Sequence, residues 1–334
     1  MNNMQPMGYG STLMMGNNGT NLGRDKLSWS KEIWNRIDQA VHDEVQRIRV
    51  AARVFPVRPY PDATTIPSDN IIGLPASVVL GAAAAPAARA RVAAPVVPAT
   101  PLTATEGDET PFMEISRTFA LTENQCAQES SLRVAAMLSR FAATGVAMAE
   151  DMLIFQGSGV ALPPGVNVLR AASAGRGLLG LAANDITIRL PPGAAAGEYG
   201  NATFAAVTLG IAALQADGQP GPYALFLSYP VYADTYRPVA AGPAVGALIT
   251  VADRIMPLVA GGFHGTSTLP TPPTSPNRGL LVSLAGEPTT IAVSLDTTTA
   301  YTQQDVAGLY QFRVEERVQY RARDPRSIRS FTFA

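Results

Sequence analysis

The side chains best suited to chemistry are few: His42, His264, Cys126 and one glycine-rich stretch, Gly175-Arg-Gly-Leu-Leu-Gly180. Paired histidines at helical spacing would hold a metal. A histidine beside a cysteine would make a nucleophile, and GxGxxG between a strand and a helix would cradle a pyrophosphate. None of these arrangements is complete. The histidines stand 222 residues apart. His42 falls on the polar flank of an amphipathic stretch and reads as a solvated histidine. Cys126 precedes a helical pattern, where a thiolate would be stabilised, but no histidine lies near it, so it reads as a structural thiol. After the glycines comes LAANDITIRL, already a strand at Ile186, with no room for a phosphate-binding helix. That stretch reads as a flexible loop. No phosphate loop, GxSxG elbow or paired-carboxylate motif is present. No enzyme activity, metal or cofactor is therefore expected.

One dense charge array remains: Arg313, Glu315, Arg317, Arg321 and Arg323 within LYQFRVEERVQYRAR, Leu309 to Arg323. Tyr310, Phe312, Val314, Val318, Tyr320 and Ala322 fall on one side of a period-two pattern; Gln311, Arg313, Glu315, Arg317, Gln319 and Arg321 fall on the other. This is the signature of a half-buried strand of about 45 Å, twice the usual length. Only Glu316 breaks its apolar side. Two readings of the charged side stand: a solvated sheet face, or pairing between subunits in which alternating signs fix the register.

The elements that would position these residues follow from periodicity. Residues 1–26 are rich in Gly, Asn and Met without a period and read as a mobile tail. Trp29 to Phe55 is helical, with Ile33, Ile37, Val41, Val45 and Ile48 on one stripe and Pro56 as its stop. Residues 57–111 are Pro- and Ala-rich, with turn residues at Pro67-Ser-Asp-Asn70. They read as a projecting two-stranded arm, with strands at Ile71–Leu80 and Ala90–Val97. A strand at Met113–Phe119 precedes a long helix from Leu132 to Phe155, closed by Gly157. Gly145 inside that helix implies a bend or a close helix contact. Beyond it come a helix at Phe204–Ala216, a buried strand at Tyr223–Ser228, a helix opening at Val231, and strands at Leu280–Leu284 and Thr290–Ser294.

Composition bounds the function. Of 334 residues only 15% are charged, against about 25% in ordinary soluble proteins, and the net charge is −1. Nothing in that balance attracts nucleic acid or an anionic membrane. Compositional bias and coverage of the surface by other subunits both explain it. A single cysteine excludes an internal disulfide. The amino terminus lacks a secretory pattern, and Leu74–Ala88 is too short and interrupted to span a membrane. A cytoplasmic protein is expected.

The order of parts resembles a known family. An amphipathic helix ends in Ala-Arg-Val-Phe, an arm follows, then PFMEISRTFALT, a helix ending AEDMLIFQG, GPYALFLSYPVY, RGLLVSLAGEPTTIAVSLDTTTAY and LYQFRVEERV. This is similar to the encapsulins, shell proteins that share the tailed-phage major capsid (Hong Kong 97-like) α+β fold. The resemblance implies a peripheral domain from residues 27–56, 113–159 and 289–334, an extended loop at 57–112 and an axial domain at 160–288. It implies an icosahedral homo-oligomer enclosing a cargo protein with a C-terminal targeting peptide, such as a ferritin-like protein, hemerythrin or peroxidase. The alternative is a phage or prophage capsid protein packaging DNA. By the same resemblance, Arg53, Phe55, Val57 and Thr299 fall at the cargo-peptide groove, with Thr299 where the family has an apolar residue. The fivefold pore loop falls on Pro238 to Gly246, with Val239, Ala240, Ala241, Gly242, Pro243, Ala244 and Val245 uncharged. A pore of weak ion preference is the expectation.

Overall fold

Two five-stranded sheets organise the chain. The computed structural model describes residues 23–72, 103–192, 197–237, 250–273 and 275–334. Residues 238–246, expected to form a pore loop, and the tail before residue 23 lie outside the described residues.

The first sheet runs β1 (Val57–Pro59), β10 (Thr289–Gln304), β11 (Tyr310–Ala322), β4 (Met113–Leu121) and β5 (Val166–Leu169), all antiparallel except β1 along β10. The long strand expected from alternation is present as β11, at about 43 Å. Its partner β10 is longer still, at 16 residues, so Asp296–Tyr301 continues a strand first expected to end at Ser294. Three register shifts in the β10–β11 pairing bend the ribbon, which is how so long a pair stays twisted and packed. The apolar side of β11 packs under the longest helix, α5 (Val134–Gln156), with α1 (Lys31–Ile48) beside it. Phe312 stacks between Trp29 and Phe119, with ring centroids 5.3 and 5.2 Å away.

The second sheet runs β6 (Asn184–Ile188), β12 (Ile328–Phe333), β9 (Asn277–Ser283), β7 (Tyr223–Ser228) and β8 (Gly262–Thr266). Helix α7 (Asn201–Ala216), with α8 (Tyr229–Thr235) and α9 (Val251–Ile255), closes its core. The span 289–334 is thus divided between the sheets, because β12 pairs with β6 and β9. The expected buried strand at Tyr223–Ser228 is found at those bounds, and every one of its residues is buried. Ala224 and Phe226 belong to the core under α5, and Leu225 and Leu227 to the core under α7. An unbroken apolar run suits a strand covered on both faces.

Shorter pieces connect these layers. Helix α2 (Ala51–Val54) follows α1, α3 (Glu123–Ala127) and α4 (Glu129–Leu132) lead into α5, and α6 (Gly177–Leu181) follows it. The arm is a two-stranded pair, β2 (Thr65–Ile72) with β3 (Thr103–Pro111). Of the expected strands, Ile71 and Ile72 fall in β2, and the rest of Ile71–Leu80 and all of Ala90–Val97 lie outside the described residues. Pro67-Ser-Asp-Asn70 is not a turn but part of β2. A register shift between Pro67 and Asp69 absorbs the missing proline donor.

Two glycine expectations also change. A Cβ on Gly145 would lie 2.8 Å from the Arg117 guanidinium and 3.1 Å from Val166. The close contact is with the sheet rather than another helix. The GxGxxG stretch is not a loose loop. Gly177 crosses the C-terminus of α5 so closely that a Cβ there would lie 2.3 Å from the Gly157 nitrogen. Glycine at both positions, each with positive φ, lets two backbones touch.

Phe226 sits between Phe55 and Phe155, with centroids 5.7 and 5.1 Å away. Phe226→Ala is expected to cost about 3–5 kcal/mol, read as a fall in the thermal unfolding midpoint of the purified protein. An unchanged midpoint would contradict this packing.

Candidate functional site

The apolar stripe of α1 would carry a helix on to Phe55, yet the chain breaks at Arg49. The cause is Asp151 on α5. Its carboxylate accepts hydrogen bonds from the backbone nitrogens of Val50 (2.8 Å) and Ala51 (3.1 Å) and starts α2 afresh. The break turns Arg49 inward, where its guanidinium pairs with Glu150 of α5 and Glu316 of β11 and donates to Thr297 of β10 at 2.7 Å. Asp296 stands 3.6 Å away. Glu316, the residue that interrupts the apolar side of β11, is therefore a ligand of a buried arginine. Thr297 also donates to it, at 2.6 Å.

One buried cation faces three buried carboxylates, Glu150, Asp151 and Glu316. Burial raises the pKa of each. Glu150 is pushed well above the ordinary range, with Arg49 opposing, and Glu316 is also raised. Asp151 is pushed up to about 6 by burial, against the pull of its two backbone donors. Burial works against the charge on Arg49, but Glu150 and Glu316 outweigh it and raise its pKa. The cluster is a joint holding α1, α5, β10 and β11 together, and it retains protons that exposed carboxylates would have lost.

The residues expected at a cargo groove are not brought together. Arg53 is exposed and donates to the carbonyls of Gln46 and Arg47. Phe55 is buried against Phe226, and Val57 is half-buried at the edge of the first sheet, opposite Ile291. Thr299 lies eight residues further along β10 than Ile291, about 25 Å away, and is fully buried. Its carbonyl accepts from Arg24, which also makes a two-pronged pair with Asp38 at 2.6 and 2.8 Å. Arg24–Lys26, inside the expected tail, thus form a 3-10 turn docked on the sheet.

The charged side of β11 is engaged within the subunit. Arg313 pairs with Glu114 of β4 (3.3 Å) and with Glu315, and Arg317 with Glu114 (3.5 Å). Cys126 is buried, and its thiol is pushed up to about 11 by burial and Glu129, which disfavours the thiolate. Among the described residues no group of three His, Cys, Asp or Glu could hold a metal, and no helix is long and apolar enough to cross a membrane.

Comparison with known proteins places this architecture. Residues 19–319 match the Linocin_M18 family, described as encapsulating protein for peroxidase. The chain belongs to this encapsulin family. Its fold is that of a virus-like particle from Pyrococcus furiosus, with a TM-score of 0.60 at 12% identity, covering 90% of this chain and 99% of that one. It is also that of the capsid of Myoviridae phage XM1 (0.53, 13%, covering 84% and 90%). The holo-SrpI encapsulin complex from Synechococcus elongatus shares it too (0.51, 8%, covering 84% and 86%). No curated protein matches the chain in sequence. The encapsulins and the tailed-phage capsids share one α+β shell fold, and this chain has it.

The charge joint sets a pH dependence for this encapsulin. Carboxyls whose folded pKa is raised stabilise the native state fully below their ordinary values near 4.5. That contribution is lost as pH rises through the folded values, about 6 for Asp151. Glu316→Gln keeps the hydrogen bonds and removes a charge. It is expected to raise the thermal midpoint at pH 8 and to flatten its fall as pH rises above the ordinary carboxylate range. Arg49→Met leaves the carboxylates uncompensated and is expected to cost about 3–5 kcal/mol. A Glu316→Gln profile identical to that of the parent would contradict the joint.

Proposed function

We propose that this chain assembles into a closed icosahedral shell in the cytoplasm and encloses cargo enzymes carrying a short C-terminal targeting peptide. The match of residues 19–319 to an encapsulating family carries this reading. Cargo of the peroxidase, ferritin-like or hemerythrin kind fits it. The two sheets supply peripheral and axial domains, the β2–β3 pair the base of the extended loop, and residues 238–246 the pore. Purified full-length protein is expected to appear as uniform closed spheres under negative stain. Cargo lost from those spheres when its own C-terminal tail is removed would support the targeting step. Lone molecules at every concentration would overturn the reading.

A second reading, a capsid that packages DNA, draws on the likeness to the phage XM1 capsid. Nuclease-resistant DNA inside the spheres would favour it. The interleaving of arginines with acids along β11 and the net charge of −1 favour protein cargo.

A further inference from the structure

A cavity of about 280 Å³ opens where the base of the arm meets the end of β11. Ile66 and Thr110 come from the arm, Arg176 and Leu181 from the segment around α6, and Gln319 and Arg321 from β11. Among the described residues that line it none is acidic. Its size stands at the lower end of small-molecule sites, which begin near about 300 Å³, and is too small for a folded partner.

One wall of the cavity is fixed by hydrogen bonds. The 3-10 turn Ala171–Ala174 is tied to β11 twice. The Gln319 Nε2 donates to the Ser173 carbonyl at 2.9 Å, and the Tyr320 hydroxyl donates to the Ala174 carbonyl at 2.7 Å. The same nitrogen also reaches the Tyr320 carbonyl, at 3.3 Å. Both neighbours of that nitrogen are acceptors, so the amide has one orientation. Its oxygen, Oε1, is then buried with no donor among the described residues, on a side chain only 3% exposed. An unmatched buried acceptor is costly, so the cavity calls for a ligand that donates.

Arg176 sets the opposite requirement. It is exposed, and its guanidinium has no hydrogen bond or ion pair among the described residues. Arg321, which is buried, brings a second guanidinium to the lining. The guanidinium fork suits a carboxylate or a phosphate. At neutral pH carboxylate and sulfate offer acceptors alone, whereas inorganic phosphate keeps a proton and offers a donor as well.

We propose that this cavity binds a phosphate group that carries, or sits beside, an O–H: inorganic phosphate or a small hydroxylated phosphate ester. Its oxygens accept from Arg176, with Arg321 alongside, and the O–H donates to Gln319 Oε1. Every residue named belongs to one copy of the chain, so the site does not depend on the shell reading.

The test is calorimetric titration of the purified full-length protein near neutral pH, at matched ionic strength, with inorganic phosphate, glycerol 3-phosphate, sulfate and bicarbonate. Inorganic phosphate or glycerol 3-phosphate is expected to bind at least about tenfold more tightly than sulfate, a difference of one donated hydrogen bond; the tighter of the two names the source. Arg176→Ala, an exposed change, is expected to weaken phosphate and sulfate alike by about tenfold. Gln319→Met, close in size but without the acceptor, is expected to bring the ratio of phosphate to sulfate affinity close to one, a readout that a purely structural role would leave unmoved. Equal affinity of the parent for phosphate and sulfate, or binding of neither, would overturn the site and leave an ordered water as the donor to Gln319. Preference for bicarbonate over both phosphates, or phosphate affinity unchanged in Arg176→Ala, would overturn it too.

Discussion

The packing of the first sheet against its two long helices depends on one arginine being unable to leave. Arg49 is drawn inward by Glu150 and Glu316, and four elements meet on it. Such a cluster adds little net stability, since desolvating its members costs about as much as their attraction returns. Its value is registry. The buried face of α5 is built largely of alanine, including Ala135, Ala142, Ala143, Ala147 and Ala149. Small side chains pack closely but discriminate poorly between one position and the next. Directional bonds from Glu150 and Asp151 hold the helix at a single setting over the sheet.

Much of this was legible in the chain. The period of two in Tyr310–Ala322 and the apolar run Tyr223–Ser228 fall in the strands they indicate, because both patterns are local. What could not be read was non-local. The break at Arg49 is made by Asp151, about a hundred residues away, and nothing in the stripe of α1 announces it. The glycines of GxGxxG look like a phosphate signal until Gly157 is found crossing Gly177. Thr299 was placed at a groove by resemblance, whereas Arg24 and α5 enclose it. The one available clue was Glu316, an acid on an apolar face, which required a buried cation somewhere.

The scarcity of charge takes on meaning once its location is known. Arg24 with Asp38, Arg313 and Arg317 with Glu114, and Arg329 with Asp217 all pair inside the subunit. The net charge of −1 gives copies of the chain little cause to repel one another. For a member of a shell family this is an advantage, since many copies must lie edge to edge without mutual repulsion. Exposed large side chains such as Leu169, Leu209 and Tyr229 are the complementary feature.

Strand β7 is covered on both sides, contributing Phe226 to one core and Leu225 to the other. A layer clasped this way cannot slide against its neighbours, so each subunit behaves as a stiff tile. In the closed shell proposed above, curvature would then be accommodated at the seams, by how tiles meet rather than by how any tile bends.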